Sequence, residues 1–159
     1  MAAGVTLRKE RLAEFRAYME GMLAHDVAQS RHANELFIDG AVTARGATPE
    51  FVATLNRAGP FGSGNPEPAV ALPSHQLIFA DEVGQAHLRL RFKSGDGAIL
   101  NGIAFRAVGQ KLGQALTQHR EQVLHVAGSL AVDRYQGSER VQLRVLDVAL
   151  PDQGPSVIR

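Results

Sequence analysis

The chain has 159 residues, with 17 Lys or Arg, 16 Asp or Glu and no cysteine. This length suits one domain with an appended element, and the lack of cysteine excludes disulfides, thiolate metal sites and a cysteine nucleophile. No apolar run approaches the roughly 20 residues of a membrane helix, and no signal peptide is evident, so we expect a cytoplasmic protein without a membrane partner. The charge is uneven, because residues 83–150 carry nine Lys or Arg against five Asp or Glu. This asymmetry favours a polyanionic partner.

The N-terminal segment predicts a helix over residues 7–24, since apolar side chains recur there at spacings of three and four. This apolar stripe consists of Leu12, Phe15, Met19, Met22 and Leu23. Residues 25–35 are polar and are interpreted as a connector. Residues 36–40 then predict a short strand that ends in an Asp-Gly turn.

A second helix is predicted to begin at Thr48, with Thr as the N-cap, Pro49 at the first helical position and Glu50 in the first turn. Its apolar face would consist of Phe51, Val52, Leu55 and Ala58. We expect it to end at the Gly59-Pro60 pair, because neither residue continues a helix well.

From about residue 70 the hydrophobic period changes to two, which predicts five strands and a short helix. The strands lie around Leu77–Phe79, at 87–93, along Ile99, Ile103 and Phe105, at 123–132 and at 141–145, with a helix at 108–116. Three strands, a helix and two strands is the order of the oligonucleotide-binding (OB) fold. The predicted class is therefore mostly β with appended helices: a five-stranded OB barrel over 70–150, preceded by an amphipathic helix and a strand–helix connector.

We find no catalytic constellation in the sequence. There is no His-Glu-x-x-His pair, no phosphate-binding Gly-Lys-Ser/Thr loop and no nucleophile elbow, and the six histidines lack ligand spacing. We expect no catalytic residue, metal site or cofactor in this chain.

The strand at 87–93 alternates basic and apolar side chains, so that one face is basic. Successive side chains on that face are about 6.6 Å apart, which suits a nucleic-acid backbone. Tyr135, at a hairpin tip, would stack on a base. A solvated outer strand face fits these charges equally well, and Phe79, Phe92 and Phe105 are assigned to the core. The candidate nucleic-acid-binding residues are His87, Arg89, Arg91, Lys93, Arg134, Tyr135, Arg140 and Arg144.

Residues 59–68 read Gly-Pro-Phe-Gly-Ser-Gly-Asn-Pro-Glu-Pro. Three glycines and three prolines exclude helix and central strand, and they favour a stiff, shaped loop. A plain connector is the simpler interpretation. The candidate contact residues in this loop are Pro60, Phe61, Gly62, Gly64, Asn65, Pro66 and Pro68.

This loop resembles the signature that precedes the OB domain in RecJ-type single-stranded-DNA exonucleases. Residues 1–4 and the helix after them resemble the end of the G-G-H-x-x-A-A-G motif of the family's second domain (the DHHA1 domain). Residues 134–137 and 141–148 resemble the closing hairpin of its OB domain. Two departures stand out: the Gly-Gly-His half of the second-domain motif is missing, and Asp133 stands where relatives often have Asn.

The resemblance implies a domain order: residues 1–30 end the DHHA1-like domain, 31–69 connect, 70–150 form the OB domain and 151–159 form a flexible tail. It also implies a single-stranded-DNA-binding module that is not catalytic by itself, since the family's Asp-His-His domain, which holds Mn²⁺ or Mg²⁺, is absent. That catalytic domain would be a partner, and Phe61 and Asn65 would brace the OB domain against it. The alternative is a protein-interaction barrel that docks an acidic partner, such as the tail of a single-strand-binding protein.

Overall fold

In the computed structural model the chain is described over residues 4–32, 35–135 and 138–151, with backbone only for 28–32, 134, 135 and 138. It divides into two units, Met1–Leu36 and Phe37–Arg159. Three segments named in the sequence analysis lie outside the described residues: residues 1–3, the hairpin pair Gln136-Gly137 and the tail from residue 152. Within the described residues, no helix combines the length and apolar character needed to cross a bilayer.

The first unit is helical. A short 3₁₀ turn, Lys9–Arg11, leads into helix α1, Leu12–His32. The predicted helix end at residue 24 is therefore wrong, and much of the predicted connector is helix. The physical reason is that residues 25–32 contain neither Gly nor Pro, and polar residues by themselves do not end a helix. No residue of the unit whose burial is described is buried, and the apolar stripe includes exposed Leu12, Met22 and Leu23.

The second unit begins with a short parallel pairing. Strand β1, Gly40–Ala41, lies beside the first residues of strand β2, Val70–Val83. The predicted strand at 36–40 with an Asp-Gly turn is wrong. Asp39 pairs with Ala69 instead of turning: its backbone N–H donates to the Ala69 carbonyl and its Oδ2 accepts from the Ala69 N–H, both at 2.8 Å.

Helix α2, Pro49–Asn56, begins as predicted, because the Thr48 hydroxyl accepts a hydrogen bond from the Phe51 N–H at 3.2 Å. It buries Val52 and contacts strands β5 and β6 of the barrel defined below. The helix ends two residues earlier than expected, so Ala58 is exposed rather than part of the apolar face.

The barrel has the predicted order of three strands, a helix and two strands, which confirms the OB fold. The strands that follow β2 are β3 (His87–Lys93), β4 (Ile99–Ala104), β5 (Val123–Tyr135) and β6 (Ser138–Ala149). Their order in the sheet is β2-β3-β4-β6-β5, and the pairing of β5 with β2 closes the barrel. Only β4 and β6 run parallel within the barrel wall. Helix α3 begins at Lys111 rather than at Val108, runs to Gln118, and contacts β2 and β6.

Alternation along the strands fills the barrel interior. Leu88, Leu90 and Phe92 of β3 are buried, and so are Val141, Leu143 and Val145 of β6. The largest fully buried apolar side chains are Phe92, Leu72, Leu77, Leu90, Leu116, Leu124 and Leu143. At full burial such side chains each contribute on the order of 1.5–3 kcal/mol, so this core fixes which strand faces point outward.

Candidate nucleic-acid interface

The outward side of β3 carries the predicted basic residues. Arg89, Arg91 and Lys93 are exposed and His87 is half-buried, because their neighbours in sequence occupy the core. The His87 ring has its own structural contacts: Nδ1 accepts from the Arg106 N–H at 2.9 Å, and the ring meets Phe105 edge-on at 5.3 Å. His87 is therefore tied to the end of β4, and the three remaining side chains form the basic part of this strand.

Phe79 lies under two of these cations. It is paired with Arg91 in the β2–β3 register, and the guanidinium carbons of Arg89 and Arg91 are each 5.5 Å from its ring centroid. At an exposed site each such cation–π contact is worth roughly 0.5–1 kcal/mol. The ring therefore limits the freedom of both guanidinium groups without removing their charge.

The assignment of Phe79 and Phe105 to the core is wrong, and only Phe92 of the three is buried there. The register of β2 shifts between Leu77 and Phe79, so Phe79 leaves the face that strict alternation from Leu77 would give it. Phe105 follows β4 and is 55% exposed. Leu77 and Ala80 are both buried although they are three residues apart, whereas a regular strand buries every second residue. This spacing is the sequence signal of the bulge.

Strand β4 places Ile99 and Ile103 on its outer side, while Leu100, Gly102 and Ala104 face the barrel interior. A Cβ at Gly102 would lie 2.7 Å from the Phe92 ring, so this interior position has no room for a side chain. Ile99 is 55% exposed, and Ile103 is half-buried on the same outer side. Phe92 therefore fills the interior at Gly102, and Ile99 and Ile103 add apolar surface to the outer face.

The register extends the basic face across four strands. One row runs Asp81, Arg89, Ile103 and Arg144, and the next runs Phe79, Arg91, Asn101 and Gln142. We call these two rows, with Lys93 and Arg140, the basic face. Tertiary structure thus brings four predicted residues, Arg89, Arg91, Arg140 and Arg144, onto one surface. Three further residues of the basic face, Phe79, Asn101 and Gln142, were not predicted from the sequence.

Carboxylates border the face and reduce its charge locally. Arg144 lies 3.7 Å from Glu67, and Asp81 lies 3.6 Å from Arg120. Asp133 is opposite Arg140 in the β5–β6 register. Arg89 is opposite Asp81 in the β2–β3 register, while Arg89 and Arg91 both have a described contact with the Phe79 ring.

The other two predicted residues lie beside the hairpin between β5 and β6. Arg134 pairs with Glu139 and Tyr135 with Ser138 in the backbone register. Tyr135 therefore flanks the tip of the hairpin, as predicted from sequence. The side chains of Arg134 and Tyr135 lie outside the described residues, so their roles as a base contact and a stacking platform stay predictions.

The Gly- and Pro-rich loop has a defined path. Gly62 and Asn65 exchange two backbone hydrogen bonds, of 2.8 and 3.1 Å, around Ser63-Gly64. The Asn65 side-chain amide donates to the carbonyls of Ala58 and Pro60 at 3.0 and 3.1 Å. Asn65 therefore holds the loop together, Phe61 is half-buried, and Glu67 links the loop to Arg144.

A comparison with protein families identifies the barrel. Residues 38–147, more than half of the chain, match the family model described as the RecJ OB domain. The chain belongs to the RecJ OB domain family. The match begins ahead of β1 and so includes α2 and the Gly- and Pro-rich loop along with the barrel.

Curated relatives agree with this family. The chain is 30% identical over 146 residues to the single-stranded-DNA-specific exonuclease RecJ of Dickeya dadantii, covering 91% of this chain and 24% of that protein. It is 24% identical over 149 residues to the RecJ of Salmonella typhimurium, covering 93% and 25%. The chain thus spans about a quarter of the length of these relatives.

A solved RecJ structure has the same fold. The crystal structure of RecJ in complex with Mn²⁺ from Thermus thermophilus aligns with a TM-score of 0.60 and 20% identity, over 94% of this chain and 21% of that one. In the part of this chain that the structure describes, no group of three or more His, Cys, Asp or Glu side chains could hold a metal ion.

Proposed function

We propose that the basic face binds single-stranded DNA, as the OB portion of a RecJ-like exonuclease. The observation that carries this proposal is the pairing of Arg89 and Arg91 over Phe79 on an exposed strand face. Proteins that bind single strands combine a positive groove, which follows the phosphates, with aromatic and guanidinium groups on which bases stack. Both components are present in one place here.

The arrangement favours single strands over duplex. Stacking on an aromatic ring or a guanidinium plane requires a base that is free of its own neighbours, and a duplex keeps its bases stacked and paired. The basic face spans four strands, which corresponds to roughly 15 Å at the usual strand spacing. That width accommodates a few nucleotides.

We further propose that this chain is not catalytic by itself and works beside a catalytic domain. Its relatives are named single-stranded-DNA-specific exonucleases and are about four times as long. In this view the metal ion, Mn²⁺ or Mg²⁺, belongs to the other domain. We place the module in the cytoplasm, since a cysteine-free DNA-handling protein suits a reducing compartment.

Fluorescence anisotropy of a labelled single-stranded oligonucleotide tests the proposal. The chain is titrated at two salt concentrations, with duplex of the same sequence alongside. We expect single-strand binding that weakens steeply with salt, because cations released from the phosphates drive association. The double variant Arg89→Ala/Arg91→Ala should bind roughly tenfold or more weakly, since it removes two cations and their stacking surface.

The matched control is Arg57→Ala/Lys111→Ala, which removes two positive charges outside the basic face. Both residues are exposed. Equal loss of binding in the two double variants would mean that only net charge matters and would refute the assignment of the face. Equal affinity for single strand and duplex would refute the preference for single strands.

An acidic protein partner is the second candidate, favoured by exposed Ile99 and Phe105 beside the basic residues. An acidic peptide with apolar residues at its end, such as the tail of a single-strand-binding protein, would use both features. Competition in the same assay separates the two ideas. Tight peptide binding without single-strand binding would support this second candidate.

The Gly- and Pro-rich loop is proposed to brace the barrel against the catalytic domain. Phe61 is half-buried and available for such a contact, and Asn65 holds the loop in shape through its two carbonyl partners. Phe61→Ala should lower the thermal stability of the longer protein by more than it lowers that of the isolated chain, in which the ring is only half-buried. Unchanged stability of the longer protein would contradict the proposal.

A further inference from the structure

A cavity of about 480 Å³ lies beside the basic face, between the segment that leads into α2 and strands β3, β4 and β6. We call it the β4–β6 cavity. Its size is within the range of small-ligand sites and exceeds that of one nucleobase. The lining side chains that matter here are Pro49, Arg91, Ile99, Asn101, Glu139 and Arg140.

The charges of the cavity suit a phosphodiester chain passing over it. Arg91 of β3 and Arg140 of β6 both line it and are exposed. Strand β4 lies between these two strands, so roughly 10 Å separates their backbones. Arginine side chains from strands at that spacing can each contact a phosphate oxygen, with strand β4 and the space above it between them for a base.

The walls and the polar groups suit a base rather than a third phosphate. Ile99 and Pro49 offer apolar surface to a flat ring. Asn101 is half-buried, and its amide provides both a donor and an acceptor. Glu139 adds a negative charge to the lining, which disfavours a third phosphate there.

We infer that the β4–β6 cavity is a subsite for one unstacked base of the bound strand, with Arg91 and Arg140 holding the phosphates on either side. This inference rests on the proposed single-strand binding and adds a position to it. Arg91 connects the two features, because it also lies over Phe79. A strand bound on the basic face would thus have one base turned into the cavity.

Two strands of equal length test the inference, an oligothymidine and a backbone that carries abasic residues throughout. Asn101→Ala and Ile99→Ala should weaken oligothymidine binding by roughly three- to tenfold, the range expected when one base loses its contacts. Both variants should bind the abasic strand like the original chain. Arg91→Ala should weaken the binding of both strands, since its guanidinium contacts the backbone.

The matched controls are Gln114→Ala and Val123→Ala, which remove an exposed amide and an exposed apolar side chain away from the cavity. Thermal melts confirm that each variant is folded. If Asn101→Ala does not fold, Ile99→Ala still provides the test, because Ile99 is 55% exposed and its truncation should leave the fold intact.

The possible results separate the two levels of the proposal. If the original chain binds both strands alike, or if the cavity variants affect both strands alike or neither, the cavity takes no base, while single-strand binding stands. If the original chain binds neither strand at low salt, both the subsite and the proposed function are refuted.

Discussion

Helix α1 and strand β3 are both amphipathic in sequence, yet only β3 buries its apolar side. Leu90 and Phe92 of β3 are fully buried, whereas Met22 of α1 is 61% exposed. The apolar residues of β3 belong to the core that the closed barrel encloses. Those of α1 have no such enclosure among the described residues. An amphipathic pattern therefore shows which side needs a partner, and the fold decides whether that partner is present.

The largest expected effect is on the free energy of unfolding, and it compares one apolar residue of β3 with one of α1. Phe92→Ala should lower the free energy of unfolding by about 3–5 kcal/mol, because it opens a cavity in the closed barrel. Met22→Ala should change it by no more than about 0.5 kcal/mol, as is usual for an exposed site. Urea titration followed by circular dichroism measures both.

Equal costs for the two substitutions would contradict this comparison. A large cost at Met22 would show that the apolar stripe of α1 is buried in solution, and sedimentation at several concentrations would then test self-association. A small cost at Phe92 would mean that the barrel core is loosely packed there, against its full burial and its contact with the Gly102 backbone.

A smaller effect is expected where polar bonds tie the segment after β1 to the barrel. The His75 ring is 2% exposed: Nδ1 donates to the Pro73 carbonyl at 2.9 Å and Nε2 accepts from the Ala44 N–H at 3.0 Å. These partners select the tautomer that carries its hydrogen on Nδ1. His75→Phe keeps much of the volume but leaves two backbone groups without partners, which costs about 2–4 kcal/mol.

The matched variant is His119→Phe, at a ring that hydrogen-bonds Gln122 near the surface. We expect it to change the free energy of unfolding by less than about 0.5 kcal/mol. Hydrogen exchange at the Ala44 N–H provides a second measurement, since this amide should lose its protection in His75→Phe. Retained protection and unchanged stability would show that the ring is not the partner of that amide.

The smallest expected effect on stability depends on pH. It concerns one ion pair in each of the two units. In the β3–β4 turn, Asp96 accepts from Ser94, from Arg45 at 2.6 Å and from the Ala98 N–H at 3.1 Å. The Ser94 hydroxyl, followed by Arg45 and the Ala98 N–H, holds the pKa of Asp96 well below its ordinary value. In α1, the Arg11 side chain lowers the pKa of Glu14.

A lowered carboxyl pKa stabilises the fold only while the carboxylate is charged. The stability advantage over Asp96→Asn should therefore be constant above about pH 5 and should shrink as the pH falls below about 4, the ordinary range of Asp. Urea titrations of both proteins across that range measure it. Glu14→Gln should leave the unfolding of the barrel unchanged, since Arg11 and Glu14 are only three residues apart. Part of the advantage should remain at pH 2, because the folded pKa lies well below the ordinary value, whereas an advantage that is undiminished there would contradict the assignment.

Most of the barrel could be predicted from sequence because its signals are local. The alternation of β3 and β6, the turn at 94–97 and the N-cap at Thr48 each depend on neighbouring residues. The errors arose where distant contacts decide. The pairing of Asp39 with Ala69 replaced the predicted turn, and the bulge in β2 moved Phe79 outward.

The candidate site divides in the same way. Sequence alone identified the basic residues of β3 and β6, since alternation shows which side chains face outward. It could not show that Arg91, Asn101 and Arg140 line one cavity, because their strands are neighbours only through the parallel pairing of β4 with β6. Nor could it place Phe79 beneath two arginines, as this depends on the register between β2 and β3.

The sequence by itself determined the OB class, the order of strands and helices, and the basic character of one strand side, because hydrophobic period and turn chemistry are encoded within a few residues. Only the tertiary structure decided which charges and aromatic rings share a surface, which side chains line the β4–β6 cavity, and that Leu12, Met22 and Leu23 of α1 are exposed. These properties depend on strand register and barrel closure. Both are set by contacts between residues far apart in the chain.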